Sequence, residues 1–208
     1  MEIYQANELD FDCRDQIATI FAEGFTQWLG YFSKDPQVIA GAFAHAFQLD
    51  YFFVAVTAGQ VVGIVACTDC QQLSLQFEKS ELIKHFGWLK GTIAARVFPR
   101  EFAASFKNPP RATGSIEFVG VAASARNNGV ASRLLAAVIA RTSYPNFLIQ
   151  EVADTNLPAV GLYQKLGFIE TGRRPLVAKQ AQKIGINAFL SFQLTRKSPE
   201  LADNSARG

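Results

Sequence analysis

One loop, two carboxylates and one cysteine pair have residue types and spacing that could do chemistry. The run Arg126-Asn127-Asn128-Gly129-Val130-Ala131-Ser132 follows an apolar, β-branched stretch and opens an amphipathic one. A helix that starts here leaves its first amides without internal partners, and its dipole adds partial positive charge, so the loop is a ready anion site. Gly129 lets a ligand approach the backbone, Ala131 keeps the wall low, Ser132 adds a hydroxyl and Arg126 a guanidinium. The same residues also read as an ordinary β–α turn with a glycine. Glu117 is a lone carboxylate in the apolar run SIEFVGVA, where it either reaches a cleft or is paired. Alternation would put Ser115, Glu117, Val119 and Val121 on one face of that strand. Glu151, on the next apolar run, is an alternative carboxylate, or a partner for a nearby arginine. Cys67 and Cys70 have the spacing of half a zinc site or a redox motif, but there is no second pair and the histidines are only His45 and His85. They read as two reduced thiols. The loop lacks the Gly-Lys-Ser/Thr ending of a P-loop, and the chain has neither G-x-G-x-x-G nor G-x-S-x-G.

The elements that must position these groups follow from periodicity. Phe11, Ile17, Ile20, Phe21 and Phe25 recur at near-helical spacing, and a second helical stretch runs from about residue 37 to 47. YFFVAV and VVGIVAC, joined by TAGQ, read as a β-hairpin. From 69 to 112 Leu82, Phe86, Leu89, Ile93 and Val97 suggest a helix that Gly87 and Gly91 weaken. After it come a strand from 115, a helix at 129–142 with Val130, Leu134, Leu135, Val138 and Ile139 inward, and a strand at 147–153. Asn156 then caps a helix that Gly167 ends, and short strands follow at 168–172 and 187–195. Strand, helix, strand implies a parallel pair with a crossover helix, and the first half adds helices and an antiparallel hairpin. The expected fold is one mixed α/β domain over 1–197, with a mobile polar tail at 198–208.

Arg-Asn-Asn-Gly-Val-Ala (126–131) resembles the Q/R-x-x-G-x-G/A signature of the GNAT acetyltransferase superfamily. Asn156, Ala159 and GLYQKLGF (161–168) resemble that family's N-x-x-A-x-x-x-Y-x-x-x-G-F helix, and the two matches stand in the family's order over residues 115–174. The resemblance implies a mostly antiparallel sheet whose central parallel strands splay at a cofactor cleft. It also implies acetyl-CoA as co-substrate and no metal. The diphosphate would lie on the loop 126–132, chiefly on the amides of Asn128, Gly129, Val130, Ala131 and Ser132, with Arg126 and Asn127 beside them. The pantetheine arm would pair with the backbone of Val119, Gly120 and Val121 like an added strand, and Asn156 and Ala159 would line the far wall. Gly120 suits the bulge that opens such a cleft, or it marks tight packing. Tyr163 matches the family's tyrosine and is the candidate general acid. Its phenol, near ~10, can protonate a departing thiolate of about 8.5. Glu117 is the candidate base. The implied activity is direct transfer of an acetyl group to a primary amine of a small molecule or peptide; the alternative is a non-catalytic acyl-CoA sensor.

Composition narrows the partners. With 208 residues, a formal net charge of +2 and 18 phenylalanines, nothing calls for nucleic acid or an acidic membrane surface. The acidic start MEIYQANELD lacks a secretory pattern, so a cytoplasmic protein is expected. A homodimer is compatible with the resemblance, although no segment demonstrates one. The segment 69–112 carries more basic than acidic residues, which favours a basic lid and an acceptor amine bearing a carboxylate or phosphate. Phe86, Trp88, Phe98, Phe102 and Phe106 are candidates for an apolar lining.

Overall fold

The computed structural model describes residues 1–103 and 112–196. Phe106 and the tail 198–208 lie outside them. The chain order is β1 (Glu2–Gln5), α1 (Arg14–Leu29), α2 (Pro36–Ala44), β2 (Phe52–Thr57), β3 (Gln60–Thr68), α3 (Lys79–Ala103), β4 (Thr113–Val121), α4 (Val130–Arg141), β5 (Asn146–Ala153), α5 (Leu157–Lys165), β6 (Ile169–Pro175), α6 (Ala178–Ile184) and β7 (Ala188–Thr195). The strands form a seven-stranded sheet in the order β1-β2-β3-β4-β5-β7-β6. Every pairing is antiparallel except β4 with β5. The mixed, mostly antiparallel sheet with one parallel central pair is therefore present. Strand β1 and helix α6 carry too few periodic residues to be legible in the sequence and are additions to the expected order.

Local chemistry explains the boundaries. Ala58 and Gly59 both have positive φ (50° and 74°), which gives the β2–β3 hairpin a turn whose twist matches its strands. The Asp35 carboxylate accepts from Gln37 N at 2.8 Å and Pro36 occupies the first turn, so α2 starts where its sequence stops being extended. Asn156 Oδ1 accepts from Ala159 N at 3.3 Å and starts α5 in the same way. Gly167, at φ 88°, ends it.

The core lies on both faces of the sheet. On one, α1, α2 and α3 pack Ile17, Phe21, Phe43 and Phe98 against β2 and β3. On the other, α4 buries Val130, Leu134, Leu135 and Val138 against Val65, Ile116 and Ile149. Full burial of such a side chain contributes about 1.5–3 kcal/mol. Close approach of α4 depends on Gly63, where a Cβ would lie 2.6 Å from Val130 Cγ1 and 2.9 Å from Leu134 Cδ1.

In α3 the expected helical face changes partway. Gly87 has φ 78° and ψ 166°, which breaks the helix into two. The break shifts the inward phase by one position: Leu82 and Phe86 are buried, then Ala94 and Phe98 instead of Ile93 and Val97. Leu89 and Trp88 are left exposed at 64% and 75%. No helix among the described residues is long and apolar enough to cross a membrane.

Candidate active site

The two central strands pair only from Thr113↔Asn146 to Ile116↔Ile149, and beyond that point they diverge. Each strand is bulged just past the last pair. On β4, the register against β3 slips between Ile64↔Gly120 and Ala66↔Glu117, and Phe118 takes φ 51°. On β5, the register against β7 slips between Ile149↔Phe192 and Val152↔Leu190, and Glu151 takes φ 56°. Non-glycine residues in this region are strained, so surrounding packing must hold both bulges.

The bulge corrects two expectations. It sits at Phe118, not at Gly120. A Cβ at Gly120 would lie 3.1 Å from Ile20 Cγ2 and 3.2 Å from Ile64 Cγ1, so that glycine serves close packing under α1. The extra residue also reverses the alternation. Glu117 faces the α1–α3 side, whereas Val119 and Val121 pack with the α4 cluster and do not share its face.

A cavity of about 770 Å³ runs through the gap between the strands. Its walls include β4 residues 115–119, β5 residues 149–153, Phe25 and Trp28 of α1, Glu101 and Phe102 of α3, Ala159 and Tyr163 of α5 with its cap Asn156, and Phe189 of β7. The structure thus brings Glu117, Val119, Asn156, Ala159 and Tyr163 to one space. Gly120, Val121 and the loop 126–132 lie outside that lining, farther along β4 and at the start of α4.

Glu117 is held by two hydroxyls. Thr68 Oγ1 donates to its Oε1 at 3.1 Å and Ser74 Oγ to its Oε2 at 2.6 Å. Burial raises its pKa above the ordinary carboxylate value, and the hydroxyl donors of Ser74, Thr68 and Ser115 offset part of that rise. Cys67 and Cys70 are buried free thiols nearby. Burial, reinforced by the Glu117 charge, pushes them up to about 12 and about 11. Tyr163 is 5% exposed and packs against Phe168 and Phe192. Its hydroxyl has no hydrogen-bonding partner among the described residues, and burial pushes its phenol up to about 12. The Glu151 carboxylate pairs with Arg174, whose guanidinium lies 5.0 Å from the Phe189 ring centroid.

The loop has the backbone of an anion cradle. Asn127 and Gly129 take φ 64° and 72°, no side chain caps α4, and a Cβ at Gly129 would meet nothing within 4 Å. The amides at the start of α4 are therefore uncapped. Arg126 points elsewhere: its Nε donates to Val121 O at 3.2 Å, and its Nη2 lies 3.6 Å from Glu23 Oε2. Asn156 spends its side-chain oxygen on the α5 cap. Along β4, the edge beyond Ile116 that faces β5 has no partner strand.

The expected basic lid falls partly on Lys107 and Arg111, which lie outside the described residues. The described part of 69–112 contributes Glu101 and Phe102 to the cavity and none of its lysines or arginines. Of the aromatic candidates there, Phe86 and Phe98 are core and Trp88 faces out. Sequence reasoning missed Thr68, Ser74 and Gln150. Thr68 ends β3 and reaches Glu117 across the β3–β4 pairing, and Ser74 reaches it from the stretch that follows β3. Gln150 is legible as one of two adjacent polar residues, with Glu151, that interrupt the apolar run of NFLIQEVA.

The family model described as Acetyltransferase (GNAT) family matches residues 14–168. No functionally curated protein matches the chain. Among solved structures, the fold is similar to an N-acetyltransferase from Staphylococcus aureus Mu50, at 17% identity and a TM-score of 0.60 over 93% of this chain and 100% of that one. It is similar to PH1933 from Pyrococcus horikoshii OT3, at 16% identity and TM-score 0.57 over 95% and 99%. A ribosomal-protein-alanine N-acetyltransferase from Brucella melitensis has 18% identity and TM-score 0.54 over 94% and 100%. At these identities the likeness is one of fold.

Proposed function

Because the chain belongs to the GNAT acetyltransferase family, we propose that it moves an acetyl group from acetyl-CoA to a primary amine by direct attack in a ternary complex. The observation that carries this reading is the cavity through the strand gap, with Glu117 and Tyr163 both on its wall. The residues fit the co-substrate. The uncapped amides of Gly129, Val130, Ala131 and Ser132 suit a diphosphate. The free edge of β4 at Val119, Gly120 and Val121 suits the amides of a pantetheine arm.

Acetyl-CoA, when bound, supplies the thioester carbon that the amine attacks and the thiolate that leaves as the C–S bond breaks. An ammonium near lysine's ~10.4 cannot attack, so a proton must first leave the nitrogen. Glu117 takes it, directly or through one water. Its raised pKa makes it a better base than an exposed carboxylate. Tyr163 gives its proton to the departing sulfur and is recharged from solvent. A phenol at about 12 is a weak acid toward a thiol in water. Desolvation in a closed cleft, however, raises a thiol by the same cause that raises the phenol. The two proton affinities therefore rise together, and the transfer stays feasible.

The experiment is a thermal-shift titration with acetyl-CoA and CoA, followed by thiol release over a set of amines. Both carriers should raise the midpoint, and release should depend on the amine. Failure of either carrier to stabilise the protein would overturn the reading.

A further inference from the structure

Glu117 and Gln150 each lie one residue past the last parallel pair, Ile116↔Ile149. Ile116 and Ile149 both pack into the α4-side cluster, so alternation turns Glu117 and Gln150 to the opposite face, where both line the cavity. Glu117 is satisfied by its hydroxyl donors. Gln150 is not: its Oε1 is buried with no hydrogen-bond partner. Leaving such an acceptor unpaired forfeits its solvation without return, so the position calls for a donor. Gln150 itself lines the cavity, and its terminal amide torsion is broad enough to present that oxygen to a donor there.

The rest of the wall specifies what carries the donor. Phe118 meets Phe25 and Phe102 at ring-centroid distances of 5.8 Å in each case, and Trp28 meets Phe189 at 5.9 Å. These rings make an apolar slot beside the two acceptors. The charged residues among the described lining are Glu101, Glu117 and Glu151, all acidic. The Glu151 charge is already taken by Arg174. An acceptor bearing a carboxylate or phosphate would place like charge in this wall. A polyamine's slender methylene chain would leave the slot between these rings unfilled, whereas an aromatic body fills it.

We infer that the acceptor is a primary amine on an apolar, aromatic-sized body with no anionic group, and that Gln150 Oε1 receives one of its N–H donors while Glu117 receives another. This rests on the acetyl-transfer reading above and reverses the carboxylate- or phosphate-bearing acceptor expected from a basic lid. Gln150 acts as a binding and specificity residue rather than as acid or base. A site built to hydrogen-bond an N–H discriminates through the group it would otherwise leave unpaired.

The test measures kcat/KM with acetyl-CoA for phenethylamine, spermidine, glycine and O-phosphoethanolamine. Thermal shift by acetyl-CoA is recorded for every protein used. Phenethylamine should exceed each of the others by at least about tenfold, as one well-filled apolar contact gives. In Gln150→Leu the KM for phenethylamine should rise at least about fivefold while the acetyl-CoA KM and thermal shift stay at wild-type values. Gln150→Glu keeps an acceptor oxygen at near-equal size and should recover most of the loss. Preference for spermidine or an anionic amine overturns the inference, as does an unchanged amine KM in a folded Gln150→Leu protein. Stabilisation by acetyl-CoA with no turnover of phenethylamine overturns it too, while leaving carrier binding intact. No stabilisation by acetyl-CoA would instead sink the acetyl-transfer reading itself.

Discussion

Phe118 on β4 and Glu151 on β5 carry matched distortions: each sits two residues past its partner in the last parallel pair, and each takes a left-handed backbone, at φ 51° and 56°. The gap between the strands begins there. One bulge alone would bend its own strand; two, on neighbouring strands, end the ladder on both sides at one level and leave room for a substrate between them. The cavity wall includes both residues. Phe118 is held by contacts with Phe21 and Phe25, and Glu151 by its ion pair with Arg174.

The strain at Glu151 can be measured. Glu151→Gly removes an exposed ion pair worth about 0–1 kcal/mol but relieves the left-handed backbone, so stability should hold or rise slightly. Glu151→Val loses the same ion pair and adds a β-branched side chain where φ is positive. It should fall about 1–3 kcal/mol below the glycine variant in urea denaturation. Equal stabilities for the two variants would mean that the bulge is not strained.

Tyr163→Phe should keep acetyl-CoA affinity and lower kcat about 10²-fold or more, the usual scale for a lost general acid. The phenol stands at about 12, so it stays protonated across the working range. The wild-type rate should therefore show no descending limb from this group below about pH 11. A full wild-type kcat in the phenylalanine variant would remove Tyr163 from the chemistry.

Glu117 should have opposite effects on stability and activity. Its carboxyl deprotonates at the ordinary value when unfolded and at a raised value when folded. Between the two, the folded chain binds more protons, so stability falls as pH rises through that window and stays lower at neutral pH. Glu117→Gln removes this cost. It should be more stable than wild type at pH 7, with the difference shrinking in acid, yet lose about 10²-fold in kcat/KM together with the ascending limb of the pH profile. Equal pH dependence of stability in the two proteins would contradict the burial argument.

Ser74→Ala tests the support for that carboxylate. The 2.6 Å bond from Ser74 favours the charged form of Glu117. A hydrogen bond to a charged group is worth about 1.5–3 kcal/mol, so losing it should move the ascending limb of kcat/KM up by roughly one to two pH units. Ser74→Thr retains the hydroxyl and should bring the limb back. A merely structural serine would change the midpoint of unfolding without moving the pH profile.

Much of this site was readable because its parts are local. The uncapped helix start at Gly129, the Asn156 cap and the Gly167 stop are each fixed within a few residues of sequence, and each is found in place. What escaped depends on long-range pairing. The bulge at Phe118 exists only against β3 and the packed rings of α1, so strict alternation assigned Val119 and Val121 to the wrong face. Ser74 reaches Glu117 across 43 positions, and no spacing rule links them. Counting charges along 69–112 likewise does not say which side of a helix broken at Gly87 meets the cavity, and among the described residues only Glu101 and Phe102 of that segment do.

The loop supplies a test in which folding and binding move in opposite directions. Gly129 has a positive φ, and its missing Cβ faces open space. Asn and Asp tolerate that conformation better than other side chains, so Gly129→Asn and Gly129→Asp should both fold. A carboxylate at a helix N-terminus favours the helix by about 0.3–1 kcal/mol, which makes the aspartate variant the more stable of the two. The same charge stands where the diphosphate is proposed to lie. Acetyl-CoA should therefore bind the aspartate variant at least about tenfold more weakly than the asparagine variant at low salt, a difference that narrows as ionic strength rises. Isothermal titration at two salt concentrations reads both effects. Equal affinities for Asn and Asp would place the diphosphate somewhere other than the start of α4.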